Sequence, residues 1–585
     1  MTELACLPYG IGSDSEGVCL GIRMGPYRIL LDCGLTDLTP LDPPDSGQKP
    51  TSNESPADLV LCSHAHSDHA QGLWELHRRF PHLPIYTSEA TTHLVPLNWL
   101  DVADAVPTFC QALPWRSPIE VMPHLTVELF PAGHLPGAAA FLLTYTGGSS
   151  SNSPMEKFRQ RPYSVFYTGD FFLSNARLVN GLSLEALRGL KPDVLIIEGS
   201  YGTARHPRRR HQENQLAELI DRAIAQSHSV LLPTPTLGPG QELLTLLRSH
   251  NNFTGRDIDI WVDPTIAAGC DAYLSLLPHL PSSVQNFARH QPLFWDERVR
   301  PHVRRQPPLK DLPSIFATGK PCIVLAHRDA DLSPYLTDSP LPWVLLLPQQ
   351  PGELDSIAAR LAGYQAASPA LEAALQREHL ILDTYLLGEH CDGPSTTQLI
   401  HNLRPQHVVL VHGPSNYLAD LANLEELQNR YQLHIPTPGV MMELPVGETF
   451  IQPAPPDAAY EGELLDTEAG VMLQLPHTLT ADPRWHQFSD TGVIEARWQG
   501  EELVIRSVVQ RELLHRTQVA AIAPDLDCCQ TCQYCRGHRC CNAASPLYGF
   551  RVSLDGYCPA FESVTPKNIA ALEDEWEERD RPPAS

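Results

Sequence analysis

The sequence predicts a layered α/β protein, and three observations predict it. Short apolar runs recur, each ending in an acid or a histidine: 59–62 leads into His64-Ala65-His66-Ser67-Asp68-His69, 164–167 into Thr168-Gly169-Asp170, 193–197 into Glu198, and 407–411 into His412. Units of this kind place functional side chains on loop tips carried by a rigid sheet. Between residues 203 and 380, strand-like and helix-like stretches alternate, which implies a mostly parallel sheet. After residue 455 the pattern turns to short β-rich runs, and then to cysteines crowded between Cys528 and Cys558.

A chain of 585 residues has room for three or four domains with separate cores. With 42% hydrophobic and 19% charged residues it reads as globular and soluble. The longest apolar runs, such as 343–347, are far too short to cross a bilayer, so no membrane partner is expected. The first residues carry neither a basic stretch nor an apolar one, so a secretory signal is not expected and a cytoplasmic location is. A net charge of −26 argues against a protein that coats nucleic acid, but it leaves room for local basic tracks. Two arginine-rich runs, 205–211 (RHPRRRH) and 298–305 (RVRPHVRR), are candidates for such a track and equally for a solvated surface.

In chain order, residues 18–35 read as a hairpin around Gly25-Pro26, whose second strand ends in Asp32-Cys33-Gly34. A carboxylate at that end of a strand is where open sheets place functional groups. Residues 36–57, rich in Pro, Ser and Asp, form a surface loop. His64 and His66 sit two apart, so an extended or loop backbone points both imidazoles the same way. Asp68 and His69 follow at an offset and face a neighbouring point. Neutral imidazole with carboxylate selects Zn²⁺ or a similar first-row ion, and this spacing suits two adjacent ions better than one.

A helix over 73–80 and strands over 84–87 and 125–130 follow. The last strand breaks at Pro131-Ala132-Gly133-His134-Leu135-Pro136-Gly137, where His134 is a further ligand candidate on a rigid loop. After a flexible connection over 147–161, Asp170 can bridge two metals, because its two oxygens can each take one. Leu216, Leu219, Ile220, Ala223 and Ile224 give a helix over 212–227 an apolar face. Strands over 229–232, 257–262, 321–325 and 343–347 alternate with helices over 240–248 and 265–277. A strand over 379–385 leads to Glu389-His390-Cys391-Asp392. A helix over 395–403, the strand 407–411 with His412, and a helix over 415–431 close this part near Gly447.

The ordered set Asp32, His64-x-His66-x-Asp68-His69, His134 and Asp170 resembles the metallo-β-lactamase superfamily. Glu198 in a strand–Glu–x–x–Tyr–Gly context, His390 in His-x-Asp before a helix, and His412 in Leu-Val-His-Gly resemble its β-CASP branch, which acts on nucleic acids. The resemblance covers residues 1–447. It implies an αββα metallo-β-lactamase domain made from 1–202 and 386–447, with a β-CASP α/β domain, 203–385, inserted between them as a cap. Residues 455–525 are then an appended β-rich segment, and 526–562 a Cys-rich metal-binding module.

The resemblance also implies roles. One zinc would be held by His64, His66, His134 and Asp170, and a second by Asp68, His69, Asp170 and His412. Asp32 would orient a ligand imidazole, Glu198 would support His390, and His390 would act at the scissile phosphate as acid or stabiliser, with Asp68 also in the catalytic set. The implied activity is a zinc-dependent ribonuclease that hydrolyses phosphodiester bonds of single-stranded RNA through a water activated by two metals. His412 favours RNA, because RNA-processing members carry His there. The alternatives are a hydrolase of another phosphodiester or ester, and a non-catalytic RNA-binding scaffold. Two loops depart from the family pattern: Gly238-Pro239-Gly240-Gln241-Glu242 lacks an expected Arg, and Ala326-His327-Arg328-Asp329-Ala330 stands where Ser-x-Gly-Met is usual.

The tail lies outside that resemblance. Cys529-x-x-Cys532-x-x-Cys535, followed by Cys540 and Cys558, has metal-type spacing. Two knuckles with a distant Cys558 suit a structural Zn²⁺. The triplet also approaches an iron–sulfur pattern, from which the gap before Cys540 departs, so zinc is the expectation. Such a module could bind RNA, a protein partner or a second copy of the chain.

Overall fold

The structure, a computed structural model, describes residues 4–12, 17–42, 55–102, 106–147, 162–336, 339–349 and 369–446, and beyond these only 463–467, 470–474, 494–499, 502–507, 532–536 and 539–541. The chain divides into two compact units, Met1–Pro453 and Ala454–Ser585.

Three large sheets make up the first unit. Strands β1 (Leu4–Ile11), β2 (Val18–Met24), β3 (Tyr27–Leu31), β4 (Leu59–Leu61), β5 (Ile85–Thr87) and β6 (Gln111–Ala112) lie side by side in the first. Strands β7 (Ile119–Met122), β8 (Leu125–Pro131), β9 (Ala139–Tyr145), β10 (Tyr163–Tyr167) and β11 (Val194–Glu198) belong to the second. The chain then builds the third sheet from β12 (Ser229–Thr234), β13 (Asp259–Val262), β14 (His302–Arg305), β15 (Cys322–His327), β16 (Trp343–Pro348) and β17 (Leu380–Tyr385). It returns to the second sheet with β18 (His407–Val411) and β19 (Gln432–His434), and to the edge of the first with β20 (Met442–Glu443).

The first two sheets pack face to face. Leu20, Ile22, Leu31 and Leu61 from one meet Val127, Phe141, Val165 and Val409 from the other in a single buried cluster. Their outer faces are covered by helices. Leu73 and Leu76 of the helix Leu73–Arg79 lie in the cluster that holds Leu30 and Val60, and Leu399, Leu403 and Leu418 lie with Leu195 and Ile197. This is the αββα arrangement. It explains why β11 and β18 read as unbroken apolar runs, since both faces of each are buried. All pairings in the third sheet are parallel, in the order β14-β13-β15-β12-β16-β17.

Several elements differ from their sequence expectation. Strand β1 went unpredicted because Pro8 and Gly10 interrupt it, and its register against β2 shifts between those residues. Strand β9 and the helix Glu89–Leu94 were also not anticipated. The helix expected over 415–431 breaks into Ser415–Ala422 and Glu425–Gln428. The helix expected from 212 starts earlier, at Arg209, where Arg209 pairs with Glu213 at 3.4 Å and Glu242 at 3.5 Å.

In the second unit, the described residues form the antiparallel hairpins Glu463–Thr467 with Gly470–Gln474 and Ile494–Gln499 with Glu502–Ser507. A short third hairpin pairs Cys535 with Cys540 as backbone partners. Cys532 is buried and Cys541 exposed. Cys529 and Cys558, and most of the segments expected at 455–525 and 526–562, lie outside the described residues.

The loop that carries His64 to His69 rests on Cys33-Gly34. The Cys33 amide donates to the His69 carbonyl at 2.9 Å, and the Gly72 amide donates to the Cys33 carbonyl at 2.8 Å. A Cβ on Gly34 would lie 1.7 Å from the Asp68 carbonyl oxygen, so backbone would have to move. Gly34→Ala is therefore expected to destabilise the first unit by about 1–3 kcal/mol, the usual cost of overpacking. A lower urea midpoint checks this.

Candidate metal centre

The site lies where strands of both sheets of the sandwich end. Asp32 follows β3, residues 63–69 follow β4, His134 follows β8, Asp170 follows β10, Glu198 ends β11 and His412 follows β18. The short helix Ser67–Ala70 turns Asp68 and His69 away from His64 and His66. The ten candidates in the first unit thus come from distant parts of the chain to one place. All but Asp32 form three overlapping groups: His64, His66, His134 and Asp170; Asp68, His69 and His412; and Asp170, Glu198, His390 and His412.

Hydrogen bonds at the rear of each imidazole decide what faces the centre. Buried Asp32 accepts from the Ser63 amide at 2.5 Å, the Ser63 hydroxyl at 2.7 Å, the Tyr167 hydroxyl at 2.5 Å and His69 Nδ1 at 2.8 Å. Ser63 has given its only proton to Asp32, so its oxygen accepts from His64 Nδ1, 3.0 Å away. His134 Nδ1 donates to the Glu389 carbonyl at 3.0 Å, and His66 Nε2 to the Leu237 carbonyl at 3.4 Å. The remaining nitrogens, His64 Nε2, His66 Nδ1 and His134 Nε2, then point lone pairs at one another. His66 Nδ1 is 3.2 Å from His64 Nε2 and 3.0 Å from His134 Nε2. A tetrahedral zinc with bonds of about 2.0–2.1 Å sets its ligand atoms about 3.3 Å apart, so the donor set fits such an ion.

Asp170 stands between two sets of nitrogens. Its Oδ2 faces His64 Nε2 at 3.6 Å and His134 Nε2 at 3.7 Å, while its Oδ1 faces His69 Nε2 at 3.2 Å and His412 Nδ1 at 3.3 Å. His69 Nε2 and Asp170 Oδ1 are both buried without a hydrogen-bond partner. Two such acceptors facing each other need a cation or a proton between them. On the open side, Asp68 Oδ2 lies 3.2 Å from His412 Nε2, with the Asp68 side chain 46% exposed. Glu198 accepts the Phe171 amide at 2.6 Å and faces His390 Nδ1 at 2.8 Å. The Ser200 hydroxyl donates to Glu198 and accepts from His412 Nδ1 at 2.8 Å.

Burial pushes His64 well below the ordinary imidazole range and His66 down to about 3, and it also lowers His134. Neutral imidazole is the form that binds metal. Burial would raise the three acids, but neighbouring imidazoles outweigh it. His69 and His412 hold Asp68 well below the usual carboxylate range, His412, His69 and His64 do the same for Asp170, and His390 brings Glu198 to about 2. Burial would likewise lower His390 and His412, yet Glu198 lifts His390 to about 9 and Asp170 lifts His412 to about 10.

Some residues that build this site escaped the sequence reading. Ser63, Tyr167 and Ser200 hold ligand candidates in place, and each lies beside a motif the sequence does show. The Leu237 and Glu389 carbonyls could not have been found from side-chain identity at all.

The beta-lactamase superfamily domain matches residues 27–228, and the Zn-dependent metallo-hydrolase RNA specificity domain matches residues 384–436. An uncharacterized protein of Synechocystis is 48% identical over 96% of this chain and 97% of its own length. The chain belongs to the β-CASP branch of the metallo-β-lactamase superfamily. More distant relatives include the cleavage and polyadenylation specificity factor 73 of Drosophila melanogaster, 25% identical over 71% of this chain and 60% of that protein. A ribonuclease of Thermus thermophilus is 27% identical over 47% of this chain and 61% of its own length. The chain thus spans less than two thirds of the length of these two β-CASP relatives. A metal-dependent hydrolase is the class that this β-CASP membership assigns.

Replacing Asp32 by Asn keeps its shape but puts an NH2 donor where one carboxylate oxygen accepted, so the four donors can no longer all be met and the support of His69 is weakened. Partners of this kind usually contribute 10–100-fold to metal affinity, so Asp32→Asn is expected to weaken metal binding by about that factor. Competition with a chelator of known affinity measures it.

Proposed function

We propose that this chain is a zinc-dependent ribonuclease that hydrolyses phosphodiester bonds of single-stranded RNA, with water as the nucleophile. The observation that carries this reading is Asp170, whose two oxygens face two different sets of imidazole nitrogens. The RNA specificity match over residues 384–436 and the ribonuclease named among the relatives support RNA as substrate. A cytoplasmic location belongs to the same reading and suits the free cysteines among the described residues.

One zinc would be held by His64, His66, His134 and Asp170, and the other by Asp68, His69, Asp170 and His412. Bound there, the ions supply a nucleophilic water at neutral pH and neutralise charge on the phosphoryl oxygens. The protein's own groups do the rest. Asp32 and Ser63 keep His69 and His64 turned toward the centre. Asp68, on the open side, can accept a proton from the incoming water. His390 turns Nδ1 to Glu198 and keeps Nε2 to donate. As water oxygen bonds to phosphorus, the bond to the leaving nucleoside oxygen breaks, and that oxygen takes the proton of His390.

Turnover of labelled single-stranded RNA is expected to vanish with a chelator and in an Asp68→Ala, His69→Ala variant; equal turnover in variant and wild type would overturn the metal mechanism. Hydrolysis of a small phosphodiester without RNA turnover would move the substrate, and RNA binding without turnover would make the chain a scaffold. His390→Ala is expected to lower kcat by about 10²–10⁴-fold. His390 is lifted to about 9, so it is charged at neutral pH and loses its proton as pH rises through that value. The kcat of the wild type should fall across that range, and the variant should lack this limb of the profile.

A further inference from the structure

The structure treats the two arginine-rich runs differently. In 298–305 three of the four arginines are met internally. Arg298 pairs with Asp296 at 3.1 Å, Arg304 with Asp259 at 3.4 Å and Arg305 with Asp271 at 2.5 Å, and the Arg305 guanidinium also lies 4.3 Å over the Trp295 ring. In 205–211 Arg209 is committed in this way, to Glu213 and Glu242. Arg205 and Arg208 are exposed, and among the described residues neither is paired with a carboxylate. His206 Nε2 is buried with no hydrogen-bond partner among the described residues.

This second run is braced against the segment that carries His390. Arg209 donates to the Gly388 carbonyl, and the Gln212 side chain accepts the Gly388 amide at 2.7 Å. The Tyr201 ring meets His206 edge-on at 6.1 Å between centroids and His390 at 5.3 Å. The uncommitted cations therefore belong to the segment that is braced against the one carrying His390. A chain of net charge −26 repels a polyanion as a whole, and binding one requires local positive charge where the strand passes. Guanidinium groups suit that task because their fork matches two phosphate oxygens.

We propose that Arg205 and Arg208, on either side of His206, form a phosphate-binding strip that holds the backbone of single-stranded RNA on the segment braced against that of His390. This rests on the ribonuclease reading above. The test measures KM and kcat on a labelled single-stranded RNA across a salt series, using the zinc-loaded full chain, R205Q/R208Q, and R298Q/R305Q as a control of equal charge change. R205Q/R208Q should raise KM more than it lowers kcat. It should also flatten the plot of log(kcat/KM) against log salt by about 1.4, since each phosphate contact on a single strand contributes roughly 0.7. The control should match the wild type in KM and slope. A slope unchanged in R205Q/R208Q, or shifted as much in the control, overturns the strip while leaving the ribonuclease reading intact. Absence of RNA turnover by the wild type at every salt concentration overturns both.

Discussion

Lone pairs that repel one another are held at hydrogen-bond distance around two neighbouring points, and the rest of the first unit answers to that constraint. His66 Nδ1 lies 3.0 Å from His134 Nε2 although both rear nitrogens donate elsewhere. His69 Nε2 faces Asp170 Oδ1 at 3.2 Å, and neither has a partner. Such an arrangement persists only if the surrounding hydrogen bonds leave the rings no other orientation, and a cation then turns the repulsion into ligation. Buried Asp32, accepting four hydrogen bonds, ties β3, the loop after β4 and β10 into one rigid support.

The same constraint couples the third sheet to the sandwich. The loop leaving β12 sends the Leu237 carbonyl to His66, and the segment after β17 sends the Glu389 carbonyl to His134. Two of the three imidazoles in the first group therefore take their orientation from backbone that follows the third sheet's strands. Glu242, in the helix Pro239–Ser249, adds to the contact by accepting the amides of Arg177 and Leu178 at 2.9 and 2.8 Å. The third sheet and the geometry of the candidate metal group are thus mechanically linked. A change in the loop at Leu237 reaches the metal group without touching a ligand.

Charge divides the site. Burial lowers His64, His66 and His134, whereas neighbouring acids outweigh burial and raise His69, His390 and His412. Glu198 accepts from the Phe171 amide and the Ser200 hydroxyl and still faces His390 at 2.8 Å, so one buried carboxylate supports both His390 and, through Ser200, His412.

The residue types of the donors were legible in the sequence, because H-x-H-x-D-H after an apolar run and single acids or histidines at later strand ends have few other uses. The parallel sheet was legible from the alternation of strand-like and helix-like stretches, and the αββα layers only through the family resemblance that the motifs carry. Strand β1 was not, since Pro8 and Gly10 hide its alternation, and neither was the break at residue 423, where helix-compatible residues continue. Only the tertiary structure decided which nitrogen of each ring faces the centre, which oxygen of Asp170 faces which group, and which arginines pair with carboxylates. Those choices depend on carbonyls and counter-ions brought from elsewhere in the chain. Backbone partners leave no side-chain signature, and an arginine's neighbours across a fold are not written in its own run.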